Sequence, residues 1–518
     1  MNRRCRIFAA GHGDRAVVPF FRSASRAIPL CGAAIVVLSL AMCCLRMVSM
    51  PLSFDEYLNA HYLWLVSIGR IPHKDFWCHY SASGLAIIRP FFQLIPESIF
   101  SIFALRFFGL CFLIGTAATL GFHSRRLRVH WLWGVLALAL MLTPEVTPSV
   151  INFRTDAYAA LAGILAMTIM FREPSPRRGG LATGLSVLSV IIMPKYVYPL
   201  TFALIAYLAY GYVKMKRERR SLLLSVLTGG AISLALAQGL LLTSGVWLRD
   251  DVYWSAITME KFFIHCGRTE TTLSPQLSTV VSHFTKYWWV AMLVLSGISG
   301  WLVTEWKRRG VRLWVGAAVI AGVAVYWGTC NQPWKQFLVP GLYCLALFVP
   351  YAARIINRPV YRSAATIILV VMATLMVFNN FRRTTIELAS GSSFQDFGGR
   401  QEFLNHIPRF ERVIGFYKTH PCFREDQTFV TWDEQWGNPK GFAPILPENS
   451  HADSCFQPGY LKKSLESSPP PASIALDSLH YPAGWNRVLS EYLAMNADLY
   501  VKAEVLDCEL YIRKDLAR

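Results

Sequence analysis

The chain has 518 residues, 54% of them hydrophobic and only 16% charged, with a formal net charge of +19 and a mean hydropathy of +0.36. That is too apolar for one or several water-soluble domains, so a bilayer must serve as solvent. The positive balance does not call for a nucleic-acid partner, because loops kept on the cytoplasmic side of a membrane protein collect Lys and Arg.

Taken in chain order, the segments between apolar runs alternate in character. Arg3, Arg4, Arg6, Arg15, Arg22 and Arg26 precede a first run at about 28–49. Later basic clusters fall at Arg125, Arg126 and Arg128, at 172–178, at 214–220, at Lys307, Arg308 and Arg309, and at 354–362. These segments read as cytoplasmic. The segments between them, near 50–100, 144–156, 194–198, 245–286 and 330–336, are poorer in basic residues and hold most of the Asp, Glu, Trp and His between spans; they read as outward. Two short spans turn at Met193-Pro194-Lys195-Tyr196 as a tight hairpin, which keeps the alternation consistent.

The expected architecture is an all-α polytopic membrane domain of about eleven transmembrane helices, with juxtamembrane helices in the first outer loop, followed by a small C-terminal α/β soluble domain. Its divisions are a cytoplasmic segment at 1–27, a membrane domain at 28–380 and an extracytoplasmic domain at 381–518. The first run lacks a small-x-small cleavage site and reads as an anchor. No N-x-S/T acceptor occurs, which leans toward a bacterial inner membrane with a periplasmic tail.

Of the twelve cysteines, Cys78, Cys266, Cys330, Cys422, Cys455 and Cys508 fall outside. Cys422 with Cys455 is the first pair to test for a disulfide, free thiols being the equal alternative. In the tail, 427–432 and 472–477 read as buried strands, and 499–505 with 509–513 as a hairpin turning at Asp507. The glycine pairs Gly179-Gly180 and Gly229-Gly230 read as loop flexibility and close helix packing rather than as a phosphate-binding loop.

The residues that carry chemistry cluster in the outward loops. Asp55 and Glu56 sit just beyond the first span, at the start of a segment with Tyr57, Ala60, His61 and Trp64 at helical spacing, which would lie on the membrane surface. Such a pair alone is explained by helix capping and the N-terminal dipole. The second outer loop adds Arg154 and Asp156, the hairpin turn adds Lys195, and Asn331-Gln332-Pro333-Trp334-Lys335-Gln336 adds Lys335. Each of these alone is explained by snorkelling to the interface. Together they describe a pocket at the outer membrane surface, with carboxylates on one wall and cations on the other. Trp64, Trp77 and Trp334 are candidates to stack on a sugar ring, and the loop at 245–286, with Arg249-Asp250-Asp251, is a candidate cover. No metal-ligand spacing occurs.

This arrangement resembles the GT-C glycosyltransferases, specifically the family of protein O-mannosyltransferases and the aminoarabinose transferase of lipid A (glycosyltransferase family 39-like). The matching residues are Asp55-Glu56, Gly69, Pro72 and Asp75-Phe76-Trp77 in the first outer loop, Arg154-Thr155-Asp156 in the second, Lys195 in the hairpin turn and Glu509-Leu510-Tyr511-Ile512-Arg513-Lys514 at the close of the tail. Where that family often carries Lys-Pro-Pro or His-Pro-Pro, this chain has Cys78-His79-Tyr80-Ser81-Ala82-Ser83-Gly84.

The resemblance implies sugar transfer from a polyprenyl-phosphate donor, with inversion, to an acceptor hydroxyl on a lipid, glycan or protein. Such a reaction needs a base, a fixed geometry of attack and cations for the departing phosphate. Asp55 is the candidate base, Glu56 orients the acceptor or tunes Asp55, and Asp156 binds acceptor or sugar. Lys195, Arg154 and Lys335 are candidates to neutralise the phosphate, and Trp77, His79 and Tyr80 to bind substrate. The lipid-linked sugar is a substrate; no cofactor or metal is implied. Three other readings stay open: a transporter or flippase of lipid-linked saccharides, a polymerase or ligase using a polyprenyl-diphosphate saccharide, and a structural or assembly protein whose outer tail binds a partner.

Overall fold

The computed structural model describes residues 14–72, 81–253, 275–330, 335–356, 359–415, 422–426, 465–476, 485–505 and 508–517. Helices dominate, because apolar segments in lipid must satisfy their own backbone N–H and C=O groups. In chain order the helices begin α1 (Asp14–Ser49), α2 (Phe54–Ser67), α3 (Ala82–Phe92), α4 (Ser101–Arg126), α5 (Leu132–Met141) and α6 (Thr147–Ile151). They continue with α7 (Asp156–Met170), α8 (Pro176–Ile192), α9 (Val197–Lys214), α10 (Arg219–Leu242) and α11 (Leu248–Val252).

Eight helices among the described residues are long and apolar enough to cross a membrane: Leu30–Ser49, Ser101–Arg126, Pro194–Lys214, Arg219–Leu242, Trp288–Trp306, Val311–Thr329, Lys335–Ile355 and Ala364–Ser390. The shorter apolar helices α3, α5 and α7 join them. Helix α10 turns Leu223, Leu224, Leu227, Leu234 and Leu236 outward, a contiguous apolar face that suits lipid and not water. By contrast, Lys335–Ile355 runs through the middle of the bundle. It breaks between Val339–Ala346 and Val349–Ile355, at the apolar pair Leu347 and Phe348.

Helices α8 and α10 pack backbone to backbone: a Cβ on Gly229 would lie 2.1 Å from the Gly180 carbonyl oxygen, so only glycine fits there. Both glycine pairs therefore sit inside helices and serve close packing, not loop flexibility. Between α8 and α9, Pro194–Tyr196 forms a single 3-10 turn carrying Lys195. The last membrane helix, Pro359–Ser390, continues through position 380 before the tail begins with the helix Ser392–His406.

Among the described residues the tail holds a five-stranded mixed sheet in the order β2-β1-β3-β5-β4, with β1 (Arg412–Ile414), β2 (Glu425–Asp426), β3 (Ser473–Leu476), β4 (Tyr500–Val505) and β5 (Cys508–Arg513). β1 runs parallel to β2 and β3, while β5 pairs antiparallel with β3 and β4. The β4–β5 register, Tyr500 opposite Arg513 and Val505 opposite Cys508, makes a hairpin. The helix Trp485–Met495 packs Leu489 and Leu493 into the tail's core with Ile414, Ile474 and Tyr500. The strand expected at 427–432, the turn at Asp507 and Cys455 lie outside the described residues.

Helix α2, the helix expected in the first outer loop, is buried on every face over residues 56–66. The tail covers it: His61 Nδ1 donates to the Cys422 carbonyl at 2.6 Å, and the Cys422 thiol lies 3.6 Å from the Tyr57 carbonyl. Arg409 of the tail pairs with Glu97 at 2.6 Å, and Gln401 accepts from Ser98 and from the Ile99 N–H.

Candidate active site

The site is built from the start of α2. Ser53 caps this helix, accepting from the Glu56 N–H, while the Glu56 carboxylate accepts from the Ser53 N–H in a capping box. Glu56 is fully buried and is held by Arg106 of α4, Nε to Oε1 and Nη2 to Oε2, both at 2.7 Å. The same guanidinium donates to the carbonyls of Met47, Met50 and Pro51. Glu56 Oε1 also accepts from the Phe153 N–H at 2.9 Å, and Asn59 donates to the Phe153 carbonyl at 3.2 Å. These bonds lock α2, α4 and the loop before α7 into one unit. Glu56 is spent on that unit and presents no surface to a substrate.

Asp55, one position earlier, faces a different set of partners. Its Oδ2 lies 2.6 Å from Arg154 Nη1. Arg154 Nε lies 3.1 Å from Asp156 Oδ2, and Asp156 Oδ1 accepts from Lys195 Nζ at 3.0 Å. Asp55, Arg154, Asp156 and Lys195 thus form one continuous row of alternating charge across three elements. The row is graded in access: the Asp55 side chain is 27% exposed, whereas those of Arg154 and Asp156 are 5% exposed. Lys195 Nζ also sits 4.4 Å above the Phe337 ring, and Gln336 accepts from Arg154. With two carboxylates and two cations the row is neutral as a whole, and its partial burial strengthens each contact.

Lys335 is not in direct contact with this row. It pairs with Glu145 at 3.1 Å and is 52% exposed, and Lys286 binds the same carboxylate. Burial works against ionisation of Glu145, but Lys286 and Lys335 outweigh it and hold the carboxyl below its usual range. The turn Lys335–Leu338 links the two clusters, since Gln336 and Phe337 reach the row while Lys335 reaches Glu145. Trp77, His79, Tyr80 and Trp334 lie outside the described residues. Trp64 is fully buried and donates to Glu97 at 3.1 Å, so it offers no ring face to a sugar.

Several residues of this region were missed in the sequence. Arg106 had a signal, because it is the one charge in α4 before the last turn, and a lone Arg inside an apolar span demands a partner. Glu145, Gln336 and Phe337 had none beyond lying in outward segments. Asp251 of α11 is also fully buried and caps α3 from a distance: it accepts from Ser81 Oγ at 3.0 Å, the Ala82 N–H at 2.7 Å, the Ser83 N–H at 3.1 Å and Ser83 Oγ at 2.5 Å. Among the described residues no group of three or more His, Cys, Asp or Glu comes together as a metal site.

No protein-family model matches the chain, and no curated protein matches it. Among solved structures, ArnT from Cupriavidus metallidurans bound to undecaprenyl phosphate superposes with a TM-score of 0.57 at 11% identity, covering 94% of this chain and 98% of that one. The apo structure of the same protein gives 0.55 at 12% identity, over 96% and 99%. Identity this low conveys architecture alone, and in architecture the chain has the fold of ArnT along nearly its whole length.

Proposed function

We propose that the chain is a membrane glycosyltransferase that moves a sugar from a polyprenyl-phosphate donor to an acceptor hydroxyl, on a lipid, glycan or protein, with inversion at the anomeric carbon. The observation that carries this reading is the charged row from Asp55 to Lys195. It lies at the membrane boundary of a fold shared with a protein solved with undecaprenyl phosphate.

In this reading Asp55, the most accessible member of the row, takes the proton of the acceptor hydroxyl as the oxygen attacks the anomeric carbon. The bond from that carbon to the phosphate oxygen breaks, and its electron pair leaves with the polyprenyl phosphate. Arg154 and Lys195 stabilise the departing charge, and Asp156 between them fixes their spacing. Lys335, beside Glu145, acts at the rim. Glu56 is a positioning residue that holds α2 and thereby Asp55. The donor's lipid chain lies in the bilayer, which accounts for a transferase with a membrane fold. The site faces the periplasmic side of a bacterial inner membrane, with the N-terminus cytoplasmic.

The test is release of lipid phosphate and transfer of label from polyprenyl-phosphate sugars by the purified protein, with Asp55→Asn alongside wild type. The expected result is turnover by wild type and a loss of at least about a hundred-fold in the variant, with folding retained. Inactivity of wild type with every such donor, or a fully active Asp55→Asn, overturns the reading and turns attention to transport.

A further inference from the structure

A cavity lies at the opposite end of the helices that carry the proposed active site. Helix α7 starts at Asp156 and reaches Met170, about 22 Å at ~1.5 Å per residue. Helix α4 runs from near Arg106, which holds Glu56, to Arg126, about 30 Å away by the same rise. Where these two helices end, a cavity of about 300 Å³ opens between them, lined by Phe122, Arg126, Leu165, Thr168, Ile169 and Arg172 among others.

Basic residues at such a helix end ordinarily complement the dipole or snorkel to water, and the exposed Arg125 and Arg128 do so. Arg126 behaves differently. Its guanidinium is folded 3.8 Å above the ring of Phe122, which is itself 52% exposed on the lipid side. Among the described residues, Arg126 Nη1, Arg172 Nε and Thr168 Oγ1 are shielded from solvent and have no hydrogen-bond partner, and neither arginine forms an ion pair with a carboxylate. Arg126, Thr168 and Arg172, each with one such atom, thus line one cavity that has an apolar wall. Shielded donors of this kind are rarely left unmet in a folded protein.

We propose that this cavity binds the phosphate of an anionic phospholipid from the leaflet opposite the active site. Arg126 and Arg172 grip the phosphate, Thr168 donates to one of its oxygens, and an acyl chain lies along Phe122, Leu165 and Ile169. A phosphate matches both the charge and the donor geometry of two guanidiniums. The apolar wall open toward lipid favours a headgroup that brings its own chain over a soluble phosphate.

The test is native mass spectrometry of the delipidated protein after addition of phosphatidylglycerol, phosphatidylcholine with the same chains, or inorganic phosphate. Wild type is expected to retain phosphatidylglycerol at least about tenfold over phosphatidylcholine, and Arg126→Ala with Arg172→Ala to lose that preference. Photo-crosslinking of diazirine-bearing phosphatidylglycerol to wild type, which needs no variant to fold, is expected to map to 118–126 and 165–172. Equal retention of the two lipids by wild type, an unchanged preference in the double variant, or crosslinks spread evenly around the bundle overturns the proposal. Tight binding of inorganic phosphate that displaces the lipid assigns the cavity to a soluble anion instead.

Discussion

Arg106 and Glu56 form a fully buried, two-pronged ion pair, Nε to Oε1 and Nη2 to Oε2, each at 2.7 Å. Burying both charges is costly, and the geometry that offsets the cost also fixes where α2 begins. The residue before Glu56 in the chain is Asp55, so the pair sets the position of the proposed base without touching the chemistry.

Breaking this pair is therefore expected to act on folding. Arg106→Ala leaves a buried carboxylate uncompensated and should cost about 3–5 kcal/mol, read as a large fall in melting temperature in detergent. Asp55→Asn should shift stability by no more than ~1 kcal/mol, since its ion pair with Arg154 is partly exposed. If Glu56→Gln melts like wild type and loses only turnover, Glu56 belongs to the chemistry after all.

Lys195 and Lys335 should separate in kinetics. Lys195 contacts Asp156 and the Phe337 ring within the row, so Lys195→Ala should lower kcat/KM for the donor by about tenfold or more, and Lys195→Arg should restore part of it. Lys335 is half exposed and turned to Glu145, so Lys335→Ala should change it by less than about threefold. Similar losses for both would place Lys335 on the donor as well.

His61 gives the fold a pH dependence. Burial pushes its imidazole from the ordinary 6.5 down to about 4, against the smaller opposing effect of its bond to the Cys422 carbonyl. Between those values the unfolded chain takes up a proton that the folded chain does not, so stability falls as pH drops from 6.5 toward 4 and then levels. The full shift corresponds to about 3 kcal/mol. Melting temperatures from pH 7 to 4.5 should fall less steeply in His61→Asn. Some slope will persist, because burial lowers His283 to about 4 as well; identical slopes would show that His61 is not neutral in the fold.

Asp251 joins the loop after α10 to the start of α3. Asp251→Ala leaves two buried N–H groups and the Ser83 hydroxyl without their acceptor, Ser81 Oγ keeping the Ile191 carbonyl, and should cost about 2 kcal/mol or more. Limited proteolysis is the direct readout: cleavage within 245–286 should accelerate several-fold in the variant. Unchanged cleavage would mean that the loop is held elsewhere.

What the sequence by itself determined follows from short-range rules. Apolar runs of span length make membrane helices whatever they pack against, because the backbone has no other way to satisfy itself in lipid. The apolar, β-favouring runs of the tail marked β3 and the β4–β5 hairpin in the same way. The types of the site residues were legible too, since Asp55, Arg154, Asp156 and Lys195 are charges at span boundaries.

Only the tertiary structure decided what each of them touches. Asp55 and Glu56 are neighbours in sequence, yet helix geometry turns one toward Arg154 and the other toward Arg106, 50 residues away. Lys195 and Lys335 looked alike as outward cations, and only packing put one on Asp156 and the other on Glu145. The burial of α2 beneath Cys422, 361 residues beyond His61, could not be read from any local pattern, because no periodicity in α2 records what a distant segment will cover.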